Sequence, residues 1–311
     1  MTSGVIAGIT WALETLILGI ALKMAPFIST QEAITLAPFV STFIHDGFSA
    51  IWATLYNSLR GNEREVRKIL KTQSGKFVIL AAIIGGPVGM TGYVLTVNNL
   101  GPSIGAVASA IFPAVGAVLA YFFLKEKMEW YQWMFLVITL LGVYGLSNSS
   151  TLNVRNLSLG LIGIIMCTFG WGIEAVILAK SLKNDDVKDA YALQIRQTTS
   201  AIVYGGIILP IINGWPLVIS LFTNPKTEEV VLVIALAGLF ATISYLFYYK
   251  AISKIGPSKA MALDVTYAAW AVIFTVLFFH DVHIITKSTI VCTAVVLVCG
   301  ILSATDYREL I

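Results

Sequence analysis

The sequence predicts an all-α membrane protein, ten transmembrane helices arranged as two inverted five-helix repeats. Three observations predict it. Hydrophobic residues make up 57% of the 311-residue chain and charged residues only 12%, roughly half the charge fraction of a soluble domain. Basic residues are divided unevenly between alternate connections. Short motifs in the first half recur in the second at offsets of 155 and 160 residues.

Apolar segments of about twenty residues, each long enough to cross a bilayer as a helix, fall at 3–22, 33–59, 77–98, 101–124, 130–147, 157–180, 189–212, 229–252, 256–279 and 285–304. The first contains Glu14 and has no basic stretch ahead of it, so it reads as a retained span and not a signal peptide. The second carries His45 and Asp46 near its centre. Gly85, Gly86, Pro87 and Gly89 predict a break or bend in the third span, and Pro113 a disturbance in the fourth. Trp130 and Trp133 open the fifth, and Trp215 follows the seventh; all three read as interfacial belt residues. The sixth span repeats the acidic feature of the first at Glu174, the seventh holds Arg196 and the ninth Asp264. Cys167, Cys292 and Cys299 lie in apolar segments without a CxxC or Cys/His grouping. No metal, disulfide framework or cofactor is expected.

Fifteen of the twenty Lys and Arg residues fall in the N-terminus, 60–76, 125–129, 180–188, 250–259 and the C-terminus. The opposite side has only Lys23, Arg155, Lys226 and Lys287, and Arg196 is inside a span. The positive-inside rule then places both termini in the cytoplasm. The basic run at 60–76 is sufficiently explained as a topology anchor, so no nucleic acid partner is expected. Asn148 and Asn156 fit the glycosylation pattern on the outer side, which matters only in a eukaryotic secretory route.

Trp11 and Glu14 map onto Trp171 and Glu174 at an offset of 160. NLGPSIGAV (99–107) maps onto KIGPSKAMA (254–262) at 155, and LGVYGL (141–146) onto VLVCGI (296–301) at the same spacing. The repeats are therefore 1–150 and 151–311. Five spans are an odd number, so the halves enter the membrane in opposite senses. That is a pattern of secondary carriers, with the binding site near the midplane between the repeats. At each Gly-Pro-Ser, glycine in a left-handed cap ends one helix and proline at the first position starts the next.

Ten spans, the two Gly-Pro-Ser hairpins and LKEKMEWYQWMFLVITLLGVYGL closing the first half resemble the drug/metabolite transporter superfamily, in its ten-helix EamA-like form, over essentially the whole chain. Within it the paired Trp-x-x-Glu motifs are most similar to the LicB-type choline importers of bacteria. The resemblance implies a multi-pass protein of the bacterial plasma membrane that imports choline and related quaternary ammonium compounds by alternating access.

Buried ionisable residues in a span are costly and are functional candidates by default. Here they are Glu14, His45, Asp46, Glu174, Arg196 and Asp264. Glu14 and Glu174 lead, because each shares a helix face with a tryptophan three residues earlier. A quaternary ammonium carries full charge but no N–H donor. Aromatic faces attract it through their quadrupoles and a carboxylate neutralises it. Tyr93 and Tyr248 are a repeat-related pair, Tyr245 lies one turn from Tyr248, and Phe112 maps onto Tyr267. The substrate site is therefore expected at Trp11, Glu14, Trp171, Glu174, Tyr93, Tyr248, Tyr245 and Tyr267. The plainer alternative makes the tryptophans lipid-facing anchors and pairs the glutamates with Arg196 or lysines.

His45 and Asp46 are about 100° apart on a helix, so one is expected to line the cavity and the other to brace helices. Asp264 has Ser109 at its repeat-related position, so the repeat does not support it. Arg196 is expected to snorkel or to counter a carboxylate. No nucleotide-binding loop is present, so transport is secondary. Close carboxylates in a dry site cannot both ionise cheaply, which makes Glu14, Glu174, His45 and Asp46 candidates for proton coupling. The expected function is proton-coupled import of choline. The runner-up is a proton-antiporting exporter of lipophilic cations or metabolites. A nucleotide-sugar or amino-acid carrier ranks lower, since only Arg196 is a basic residue inside a span. No nucleophile or metal group at the water interface suggests an enzyme.

Overall fold

The computed structural model describes residues 1–147, 154–183 and 187–306. The sequon at Asn148 and the repeat boundary at 150/151 lie outside the described residues. Ten helical spans follow one another: α1 (Thr2–Ala21), α2 (Gln31–Leu59), α3 (Gln73–Leu100), α4 (Pro102–Leu124), α5 (Trp130–Ser147), α6 (Leu157–Leu182), α7 (Asp189–Ile211), α8 (Glu228–Ile255), α9 (Pro257–Phe279) and α10 (Lys287–Ala304). Nine are long and apolar enough to cross a membrane. The tenth, α7, reaches that measure together with the short helix Trp215–Thr223, from which it is bent by 115°. That bent pair is missing from the sequence reading, which left 213–228 as a connection. The seven-residue helix Glu63–Ile69 inside the basic run was also not foreseen.

Lipid offers no hydrophobic drive for helices to associate, so close packing of small side chains must supply it. α1 illustrates this: its buried positions are Gly4, Ala7, Gly8, Ala12 and Ala21, plus Glu14. α1 lies along α8, and α3 along α6. α1 also touches α9, as α6 touches α4, while α2 lies along α7 and α5 along α10. Exchanging each helix for the one five places later carries these contacts onto one another.

The connections rich in Lys and Arg gather at one end of the bundle. Asn57 donates to the Ala190 carbonyl at 2.9 Å, and Gln132 to the Thr305 carbonyl at 3.0 Å. Lys259 meets Asp306 at 3.8 Å, and the Ser258 amide donates to Glu126 at 3.4 Å. At the other end the Arg155 amide donates to the Asn99 carbonyl at 2.8 Å.

The helix breakers read from the sequence disturb these spans less than a full break would. α4 runs uninterrupted through Pro113. α3 does not break at Gly85–Gly89 but passes through a π-helical turn, Ile84–Gly89. A second π-turn, Tyr204–Ile208, lies in α7. Such a turn shifts hydrogen bonding by one residue. At both, a tryptophan indole takes up a glycine carbonyl: Trp171 donates to Gly85 and Trp215 to Gly205, each at 3.0 Å.

The two Gly-Pro-Ser hairpins have nearly the same backbone. Gly101 has φ 94° and ψ 163°, and Gly256 φ 84° and ψ 160°. Positive φ agrees with the sequence, but ψ near 160° departs from the expected left-handed cap. It belongs to a region essentially reserved for glycine. A Cβ on Gly256 would also run into the Glu126 carboxylate. Gly256→Ala is therefore expected to cost about 1–3 kcal/mol, read as a lowered melting temperature in detergent. Gly47→Ala, in a helix with open space around its Cβ, should leave the melt unchanged or raise it slightly.

Candidate functional site

Eight of the ten helices converge on a cavity of about 340 Å³; α5 and α10 contribute nothing to its lining. All ten residues that the sequence offered for substrate binding or proton coupling line it: Trp11, Glu14, His45, Asp46, Tyr93, Trp171, Glu174, Tyr245, Tyr248 and Tyr267. Arg196, Asp264, Ser109, Phe112 and Tyr249 line it as well. The volume is at the small end of the roughly 300–1,000 Å³ typical of ligand pockets.

The charged groups form a chain across the interface between the halves. His45 Nε2 stands 3.2 Å from Glu14 Oε1, close enough for an ion pair but without hydrogen-bond alignment. His45 Nδ1 meets Asp46 Oδ1 at 2.9 Å. The other Asp46 oxygen accepts from the Ser200 hydroxyl at 2.6 Å and stands 3.7 Å from Arg196 Nη1. Arg196 Nε donates to Glu174 Oε1 at 2.9 Å, and Nη1 donates to Gln197 at 2.8 Å. The sequence therefore runs Glu14, His45, Asp46, Arg196, Glu174. Every member is buried.

This arrangement revises one expectation and bears on two others that had alternatives. Adjacent His45 and Asp46 both line the cavity, because their side chains bend towards each other and bond directly. Arg196 is 3% exposed and does not snorkel; it counters Glu174 and Asp46. The pairing of Glu174 with Arg196 also realises part of the plainer alternative, although both glutamates remain on the cavity wall. The lining sets four carboxyl groups against one guanidinium and one imidazole.

The rings form an arc beside these charges. Tyr267 stacks on Trp11 with centroids 3.9 Å apart, and Tyr93 on Trp171 at 6.0 Å. Phe112 bridges the indoles edge-on, 6.5 Å from Trp11 and 5.8 Å from Trp171. Phe112 thus holds the centre of the arc; its relation to Tyr267 by the repeat was the available signal. Arg196 Cζ lies 4.6 Å over the Tyr245 ring, so an internal cation already occupies that aromatic face. Trp130, expected in the belt, is 72% exposed and away from the cavity. Among the described residues no group of three or more His, Cys, Asp or Glu is placed to hold a metal.

The π-turn in α3 makes this geometry possible. A Cβ on Gly85 would overlap the Glu174 carboxylate, and one on Gly89 would reach within 2.8 Å of the Trp171 ring. Glycine at these two positions lets α6 bring its tryptophan and glutamate against α3.

Over residues 1–148, and again over 158–305, the sequence matches the EamA-like transporter family. Protein LicB of Haemophilus influenzae is 30% identical over 193 residues, which are 62% of this chain and 63% of that protein. The chain thus aligns with less than two thirds of that relative's length. A solved crystal structure superposes with a TM-score of 0.73 at 14% identity, covering 99% of this chain and 97% of the other; this is a likeness of fold. The chain belongs to the EamA-like transporter family, and its described helices are long and apolar enough to cross a membrane many times.

Removing one partner of a buried ion pair leaves the other bare. Arg196→Leu is therefore expected to destabilise the protein by about 3–5 kcal/mol. Adding Glu174→Gln should recover part of the loss, a non-additivity measurable by comparing the single and double variants in thermal melts.

Proposed function

We propose that this EamA-like transporter imports choline and closely related quaternary ammonium compounds, with proton coupling, by alternating access around a midplane site. The observation that carries the reading is the meeting, in one cavity, of two indoles and several carboxylates from both halves. A cation lacking N–H donors gains little from hydrogen-bonding groups. It gains about 0.5–2 kcal/mol from each well-placed ring. We assign Trp11, Trp171, Tyr93, Tyr248 and Tyr267 to the aromatic surroundings of the substrate, and Glu14 to the acidic wall beside it. Glu174 and Tyr245 act there through Arg196, which they hold. The 30% identity to Protein LicB supports the same direction of argument.

We read both termini as cytoplasmic, because the basic connections share one end of the bundle, and the bacterial plasma membrane is the proposed location. The proposed repeats are 1–150 and 151–311. We read the protein as a carrier and not an enzyme. For a cation entering a negative interior, 100 mV contributes about 2.3 kcal/mol, or roughly fifty-fold accumulation, so voltage alone supports uptake. The coupled proton is assigned to the Glu14–His45–Asp46 chain, where the imidazole stands between two carboxylates and can pass a proton from one to the other.

Choline-evoked currents and internal pH in proteoliposomes test this reading. Uptake is expected to rise with an inward proton gradient and to acidify the lumen. Uptake indifferent to the gradient indicates a uniporter, and alkalinisation of the lumen the antiporting exporter. Trp11→Ala and Trp171→Ala should each weaken choline affinity roughly two- to thirtyfold. Glu14→Gln should abolish the pH dependence of labelled-choline uptake.

A further inference from the structure

We propose that Asp264 is the carboxylate that pairs with the positive charge of the substrate. The inference rests on the cation-carrier reading and assigns the substrate's direct counter-charge to Asp264 in place of Glu14. Three of the four cavity carboxylates already have partners within the protein. Glu14 faces His45, Asp46 takes His45 and Ser200, and Glu174 takes Arg196. Asp264 differs. It is 7% exposed and lines the cavity, and its Oδ1 is buried without a hydrogen-bond partner. Among the described residues no Lys, Arg or His pairs with it. Buried polar groups are normally satisfied, and the exceptions call for a specific reason. We assign the missing partner to a cation in the cavity that Asp264 lines.

The local helix geometry prepares the position. The first helical segment of α9, Pro257–Asp264, ends at this residue, and helix resumes at Tyr267. Thr266 turns its hydroxyl back to the Leu263 carbonyl at 2.6 Å. Asp264 and Tyr267 are three residues apart, and both line the cavity. They form an acid-and-ring pair at the same spacing as Trp11 and Glu14, in reverse order. Tyr267 in turn stacks on Trp11. An ammonium group near Asp264 would therefore have both the carboxylate and this stacked pair for company.

The repeat sharpens the assignment. Asp264 and Tyr267 correspond to Ser109 and Phe112, which line the same cavity. Ser109 shares a hydrogen bond of 3.3 Å with the Tyr267 hydroxyl. One half thus supplies a charge where the other supplies a hydroxyl, and a monovalent cation needs one such charge.

Isothermal titration of the purified transporter with choline, tetramethylammonium and the neutral isostere 3,3-dimethylbutan-1-ol tests the proposal. Asp264→Asn is expected to weaken both cations by about tenfold or more while changing affinity for the alcohol less than about twofold. Asp264→Glu should retain part of the cation affinity. Cation binding by Asp264→Asn within about twofold of wild type overturns the assignment, and so does an equal loss for charged and neutral ligands. A measurement on the wild type covers the case of an asparagine variant that fails to fold. Saturating choline should protect Asp264 from dicyclohexylcarbodiimide, read by peptide mass spectrometry; labelling that choline does not reduce overturns the proposal. A wild type that binds neither quaternary ammonium ion overturns the carrier reading itself, and this assignment with it.

Discussion

A charge carried into hydrocarbon has to be neutralised by the protein or by a guest, and that constraint organises the centre of this molecule. The chain from Glu14 through His45, Asp46 and Arg196 to Glu174 draws on α1, α2, α7 and α6. Each half places an acid on its first helix and a base on its second. Asp46 then joins the two pairs across the interface. Because a buried carboxylate without its partner is so costly, the rotation of each of these four helices about its axis is fixed by the pairing. The small residues that let α1 pack closely, and the glycine turn that admits Glu174, follow from that requirement.

Much of this was legible in the sequence, for identifiable reasons. Trp-x-x-Glu occurs twice at a fixed offset, and a repeated arrangement of costly residues indicates a shared site more securely than either copy. Gly-Pro-Ser marked both hairpins because the backbone there takes φ and ψ that only glycine populates. What stayed hidden depends on side-chain direction. Nothing in the one-dimensional pattern says that Arg196 reaches Glu174 and not solvent, or that His45 and Asp46 bend towards one another. The π-turn at Ile84–Gly89 was visible only as a cluster of helix breakers. Its role as clearance for a neighbouring carboxylate needs the neighbour.

Asp264 has Ser109 as its repeat-related counterpart, so the repeat does not support it, and yet it lines the cavity. A pseudo-symmetric scaffold that holds one asymmetric ligand, however, must differ between its halves where it touches that ligand. The symmetric positions then describe the frame, and the departures from symmetry describe the guest. Two such departures at matched positions meet in the cavity, Asp264 against Ser109 and Tyr267 against Phe112. Both change charge or hydrogen-bonding capacity.

The count of charges then bears on how the proposed coupling would arise. The cavity holds four acids and two bases, so with every one of these groups ionised it would lack two positive charges. In a site of low effective dielectric that deficit is expensive, and every populated state must reduce it with protons, with a bound cation, or with both. Arg196 is tethered to its helix and already shared between Glu174 and Asp46, so it cannot travel to cover the remainder. A cation at Asp264 and a proton on the Glu14–His45–Asp46 chain would together meet the deficit. Loss of either ligand reopens it. The movements of substrate and proton would thus be linked by electroneutrality within one cavity, without a separate gate to sense each of them.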